Sequence, residues 1–223
     1  MDEAVLLLGR RSSRVERGGQ RRARRLGASG QRCGPEAQRL RNAVRPKIGF
    51  PVSSGYPMLM LTLHPLSGES ASDRADVWRV FTEAPSYAQC VEGRLPTEED
   101  VDDFFDGKPA VKAAADKSVF GLCVDQHMIG CADVIRAYPD DDCLWIGLLL
   151  LSEAHQRRGY GKAALGLLID MARKWGYRVA QLAVISTNPR AQAFWQREGF
   201  DEIRRTVNPR FSGDVIVMQR AIR

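Results

Sequence analysis

The stretch Gln156-Arg157-Arg158-Gly159-Tyr160-Gly161-Lys162-Ala163 decides how this chain is read. It stands between a nine-residue apolar run, residues 143–151, and a long helical pattern, residues 160–175. An apolar run of that length is expected to be a strand buried on both faces. The helix is expected to bury Ala164, Leu165, Leu168, Ala172 and Trp175 along one stripe and to stop at Gly176. Glycines at i and i+2 let the backbone turn tightly and aim successive N–H groups into one concavity. A helix N-terminus behind them adds partial positive charge, and Arg157, Arg158 and Lys162 add full charges. This is the construction of a diphosphate-binding site.

Two common diphosphate motifs fit it poorly. A P-loop requires Gly-x-x-x-x-Gly-Lys-Ser/Thr, but Gln156 stands where the first glycine belongs and Ala163 follows Lys162. The dinucleotide pattern Gly-x-Gly-x-x-Gly/Ala is formally met through Ala164. Its glycines, however, begin eight residues beyond the strand, and no acid follows about 20 residues on.

Working outward, residues 178–185 read as a strand. Asn188-Pro189 reads as an N-cap with proline at the first helical position, opening a helix that runs through residue 198 and stops at Gly199. Strands at 202–206 and 214–219 follow. Upstream, residues 59–64 read as a strand. Residues 73–82 read as a helix capped by Ser72 or Asp73, with Val77, Val80 and Phe81 on one face. Thr97 opens a second helix with capping-box spacing to Asp100. Strands at 118–124 and 128–137 flank a turn at 125–127. The order is α/β with one β–α–β crossover near its centre, so that part of the sheet should be parallel.

With 223 residues, 44% hydrophobic and 27% charged, the chain is sized for one substantial core. Its apolar runs fall well short of the roughly 20 residues that span a bilayer, so no membrane association is expected. Five widely spaced cysteines (33, 90, 123, 131, 143) and three scattered histidines give neither metal-ligand spacing nor a disulfide framework. Reduced thiols in the cytoplasm and no metal are the expectation. Charge is divided unevenly. Residues 1–50 carry 12 Arg and one Lys against four acids, whereas residues 51–223 carry 20 basic and 23 acidic residues. Residues 1–57 are therefore expected to be a disordered Arg/Gly-rich extension, followed by one domain over 58–223. Met58 and Met60 would be natural start codons, leaving the extension as a spurious segment, a nucleic-acid-binding arm or a targeting peptide.

The central residues resemble the GNAT superfamily of acyl-CoA-dependent N-acetyltransferases. That family's motif, Gln/Arg-x-x-Gly-x-Gly/Ala, is matched at Gln156, Gly159 and Gly161. Its later block, an asparagine, small residues, an aromatic and then Gly-Phe, is matched from Asn188 through Trp195 to Gly199-Phe200. The resemblance covers about residues 58–223. It implies a mixed central sheet with a V-shaped opening between the strands that start near Cys143 and Arg178, and helices on both faces. It implies acetyl-CoA as co-substrate, with its pantetheine arm paired to the strand backbone near Leu149 and Leu151. The pyrophosphate would be held by amides from Gln156 through Ala163, with Asn188 and the helix bearing Trp195 beside the thiol end. The implied reaction is direct acetyl transfer to a primary amine of a small molecule or peptide. Nucleic acid would enter only through the N-terminal tail, and a homodimer is left open.

The chemistry needs a neutral amine, a donor for the developing oxyanion and a route for the leaving thiolate. Many family members place a carboxylate on or near the central strand, but residues 143–151 contain none. The nearest candidate is Asp133 on the neighbouring strand, either a base facing the cleft or a solvent-facing edge residue. Where the family often has an acidic tyrosine this chain has Trp195, which has no proton to give usefully. Tyr138 and Tyr160 are the tyrosines considered in its place. His155 reads as a surface loop residue, Asp140-Asp141-Asp142 as a solvated turn, and Phe104 and Phe105 as core or a lid wall. Two other classes remain open: a non-catalytic acyl-CoA-binding regulatory module, and a nucleic-acid-associated protein acting through its tail.

Overall fold

The computed structural model describes residues 60–209 and 211–223. The expected extension, residues 1–57, lies outside them. Among the described residues, three strands and three helices precede the central strand: β1 (Leu61–Pro65), α1 (Ala71–Thr82), α2 (Pro85–Glu92), α3 (Glu98–Asp106), β2 (Lys117–Val124) and β3 (His127–Arg136). Then come β4 (Cys143–Leu151), α4 (Tyr160–Lys174), β5 (Val179–Ile185), α5 (Pro189–Arg197), β6 (Asp201–Thr206) and β7 (Val215–Ala221).

The strands form one mixed sheet in the order β1-β2-β3-β4-β5-β7-β6. β1 to β4 are an antiparallel meander, α4 carries the chain across to β5, and β4 and β5 are parallel. The β2–β3 turn is tighter than the sequence suggests. Asp125 and Gln126 both adopt positive φ, 49° and 66°, giving a two-residue loop whose twist suits a hairpin.

Alternation along the strands divides the core into two layers. On one face Cys131 and Leu150 pack with Val77, Val80 and Phe81 of α1 and Val101, Phe104 and Phe105 of α3. On the other, Leu144 and Ile146 of β4 and Ala180 and Leu182 of β5 are buried, and α4 contributes Ala164, Leu165, Leu168, Ile169 and Ala172. Among the described residues no helix is long and apolar enough to cross a membrane.

β4 and β5 separate as they run. They pair only at Cys143↔Val179, Leu144↔Ala180, Trp145↔Gln181 and Ile146↔Leu182. β5 stays paired to β7 through Ile185, and β4 to β3 through Leu151, so the β4 edge facing β5 has no strand partner among the described residues from Gly147 onward. This is the expected V-shaped opening. It also corrects the reading of β4 as buried on both faces throughout: Gly147, Leu148, Leu149 and Leu151 are half-buried because the opening exposes them.

Other local expectations shift. α1 starts at Ala71 rather than 73, because Ser70 is the cap and its Oγ accepts the Asp73 N–H at 3.2 Å. At α3 the Asp100 carboxylate accepts the Thr97 N–H at 2.8 Å, the backward half of a capping box. Trp175 is the C-cap of α4 and only half-buried, with the Arg136 guanidinium 5.6 Å from its ring centre. α2, which sequence reading did not find, is the element that matters most for the opening.

Candidate active site

The phosphate-type loop takes shape from the end of β4. Ser152 closes the strand with its N–H on Ile129 O, Glu153–His155 make one 3-10 turn, and the Gln156 amide donates to Leu151 O at 3.0 Å. Arg157 and Gly159 both have positive φ, 59° and 86°. Gly159 is the N-cap of α4 and has no side chain with which to satisfy the first-turn N–H groups. Arg157, Arg158 and Lys162 are exposed around them. Gly161 sits under Phe194 of α5, whose ring edge would be 3.4 Å from a Cβ there. Amides, helix N-terminus and cations thus converge as an anion site requires.

α2 bridges the mouth of the opening. Near its start, Ser86 N–H and Oγ donate to the Glu153 carboxylate just beyond β4. Near its end, Cys90 O accepts from Thr187 Oγ1 at 2.6 Å, just beyond β5, and from Ser212 Oγ at 2.8 Å in the β6–β7 loop. Between these anchors Tyr87 packs both with the cluster that contains Leu148 of β4 and with the one that contains Ile185 of β5.

Beneath α2 lies a cavity of about 90 Å³ walled by Phe81, Tyr87 and Phe104, by four carboxylates, and by Gly147 and Leu148 of β4. Asp133 is the deepest of the carboxylates, its side chain 8% exposed. Its position depends on a β-bulge: Asp133 is opposite Leu148, Val134 is opposite Ile146, and Gly147 is the extra residue between them. Lys117 Nζ, also buried, is 3.3 Å from Asp133 Oδ1 and donates to Gly107 O at 2.7 Å. The ion pair lacks hydrogen-bond alignment, and Oδ1 receives no hydrogen bond. Burial raises the Asp133 carboxyl above its ordinary value, and Lys117 opposes that rise. Burial, then the charges of Glu92 and Asp133, raise the Tyr87 hydroxyl, so it keeps its proton and remains a hydrogen-bond donor.

The structure therefore places Asp133 in a cleft and not at a solvent-facing edge. Leu149 and Leu151 lie on the unpartnered β4 edge, and Gln156 to Ala163 form the loop beyond it. Tyr160 is the first residue of α4 and its ring lies 6.2 Å from that of His155. His155 Nδ1 is 2.7 Å from Ser152 Oγ, and burial followed by the Arg158 charge lowers its pKa. Asn188 caps α5, accepting the Ala191 N–H at 3.1 Å. Trp195 is buried against Phe194 and Phe200, with ring centres 4.9 Å and 5.2 Å away, so Phe194 is the α5 aromatic that reaches the loop. Tyr138 packs edge-on to Trp145, and Asp142 O accepts the Arg178 N–H at the closed end of the opening. Lys117, Tyr87 and Gly147 were not singled out in the sequence. The only local signal for them was a lysine at the start of a β-rich run and a glycine inside an apolar one.

Residues 78–200 match the profile of the Acetyltransferase (GNAT) family. An acetyltransferase from Thermus thermophilus is 31% identical, with a TM-score of 0.58 over 73% of this chain and 97% of that one. Two solved structures at lower identity share the fold. The ribosomal-protein-S18-alanine N-acetyltransferase from Escherichia coli is 20% identical, TM-score 0.53, over 73% of this chain and 94% of its own. A GCN5-related N-acetyltransferase from Kribbella flavida is 21% identical, TM-score 0.54, over 72% and 97%. No curated protein matches the chain in sequence.

Proposed function

Because the chain belongs to the GNAT acetyltransferase family, whose members carry out acyl-CoA-dependent acetyl transfer, we propose that it acetylates a primary amine bound in the cavity beneath α2. The acceptor is a small molecule or peptide, and the transfer is direct. One observation carries this reading: Gly147 and Leu148 belong both to the unpartnered β4 edge and to the wall of the cavity that holds Asp133. A co-substrate paired along that edge would end where the carboxylate begins.

The residues present suit acetyl-CoA. The β4 edge that faces away from β3 over residues 147–151 can take an amide-bearing arm as an added strand, and the loop with Arg157, Arg158 and Lys162 can hold a pyrophosphate. When bound, acetyl-CoA supplies an activated acetyl carbonyl and a thiolate leaving group. Asp133 accepts the proton that the ammonium must lose before its nitrogen can attack. The new C–N bond forms as the C–S bond breaks, the nitrogen's second proton passing to the departing thiolate, and Tyr87 lines the cavity with a protonated hydroxyl that can donate to charge developing there. Cys90, Cys123, Cys131 and Cys143 are free thiols, and none of these four lines the cavity, which favours direct transfer over a cysteine carrier. Free thiols also support a cytoplasmic setting.

The test is mass-spectrometric detection of an acetylated amine after incubation with acetyl-CoA. Asp133→Asn should slow its formation by a factor on the order of 100. An unchanged rate would remove Asp133 from the reaction.

A further inference from the structure

α2 has eight residues, buries only Ala88 and Val91, and has neither a side-chain cap nor an acidic residue in its first turn. A helix that short has little stability of its own. Pro85 brings no N–H, and the Tyr87 N–H bonds to Ala84 O at 3.1 Å, so Ser86 carries the first-turn N–H that an outside group must satisfy. Glu153, 67 residues further on, does so: its carboxylate accepts the Ser86 N–H at 3.1 Å and the Ser86 hydroxyl as well. Those two bonds hold the Glu153 carboxyl below its ordinary range, so an anion stands at the start of α2.

The same residue opens the turn that leads into the glycine loop. Its N–H donates to Glu83 O at 3.0 Å, at the junction where α1 ends and α2 begins. Its own carbonyl accepts the Gln156 N–H at 3.3 Å, at the first residue of the loop. α2 in turn supplies Tyr87, Ala88 and Val91 to the wall of the cavity. We propose that Glu153 is a positioning residue that caps α2 from the cofactor loop, so that acetyl-CoA on the loop steadies the helix over the acceptor cavity. A ligand that restrains Gln156 to Ala163 also restrains the turn from which Glu153 projects, and the carboxylate carries that restraint to the residue beside Tyr87. The far end of α2 is held separately by Thr187 and Ser212, neither of which belongs to the loop. This assignment rests on the acetyl-CoA reading of the loop.

The experiment is hydrogen–deuterium exchange of the full chain with and without saturating acetyl-CoA, for wild type, Glu153→Ala and Glu153→Gln. In wild type, acetyl-CoA should slow exchange in residues 156–163 and also, by at least about fivefold, at the amides of α2. In Glu153→Ala the slowing in the loop should persist while that in α2 is lost. Glu153→Gln keeps an oxygen that can accept from Ser86 and should restore part of it. Both substitutions leave the backbone bonds of residue 153 in place, and the residue is exposed, so the sheet and its core stay intact. Equal slowing of α2 in wild type and Glu153→Ala, or slowing of the wild-type loop without any in α2, would overturn this assignment alone. No slowing of the loop by acetyl-CoA would overturn the acetyl-CoA reading, and this assignment with it.

Discussion

A Cβ on residue 147 would lie 2.2 Å from Asp133 Oδ1, so the bulge glycine and the buried carboxylate fit only because Gly147 has no side chain. Gly147→Ala should push the carboxylate from its place while the sheet still forms around it. The expected result is a loss of at least about tenfold in kcat with acetyl-CoA binding retained, checked by steady-state rates beside a thermal-shift titration. A variant with wild-type kcat would show that the position of Asp133 does not matter.

Lys117→Met removes the counter-ion of a buried carboxylate. Breaking such a pair costs about 3–5 kcal/mol when the remaining group stays charged. The cost should shrink as pH falls, because burial already raises the Asp133 carboxyl and a protonated Asp133 needs no cation. Denaturant unfolding of both proteins across the acid range checks this. A stability difference independent of pH would contradict the pairing.

The same raised carboxyl sets the acid limb of the rate. Below its pKa Asp133 holds a proton and cannot take another, so kcat/KM should rise with pH through a value above the ordinary carboxylate range. Burial sets that rise, and Lys117 of β2 is the charged group that opposes it. In Lys117→Met the limb should move to higher pH. A limb that stays in place would assign it to another group.

How much of this was legible in the sequence follows from how local each signal is. β4, the loop and α4 were readable because an apolar run, a glycine pair and a helical stripe lie within a few residues of one another. α2 was not. It buries only Ala88 and Val91, lacks a side-chain cap, and is fixed by Ser86 to Glu153 and Cys90 to Thr187, contacts 67 and 97 residues apart. Asp133 was found as an acid out of place in a strand, but its burial is set by a lysine on β2 and a bulge on β4. Trp195 drew attention by its place in the motif, whereas the contact with Gly161 is made by its neighbour Phe194.

Gly161→Val should drive a branched side chain against the Phe194 ring, which a Cβ alone already approaches to 3.4 Å. The loop would shift, and affinity for acetyl-CoA should fall at least about tenfold, read by calorimetry. Unchanged affinity would place the pyrophosphate elsewhere.

The most direct measurement is the initial rate of thiol release from acetyl-CoA by the full chain, with and without a mixture of small primary amines and amine-bearing peptides, for wild type and Asp133→Asn. The predicted result is amine-dependent release in wild type that falls on the order of 100-fold in the variant, while acetyl-CoA still raises the melting temperature of both. Release that is indifferent to the amine, or equal in the two proteins, would contradict Asp133-assisted transfer to an amine beneath α2.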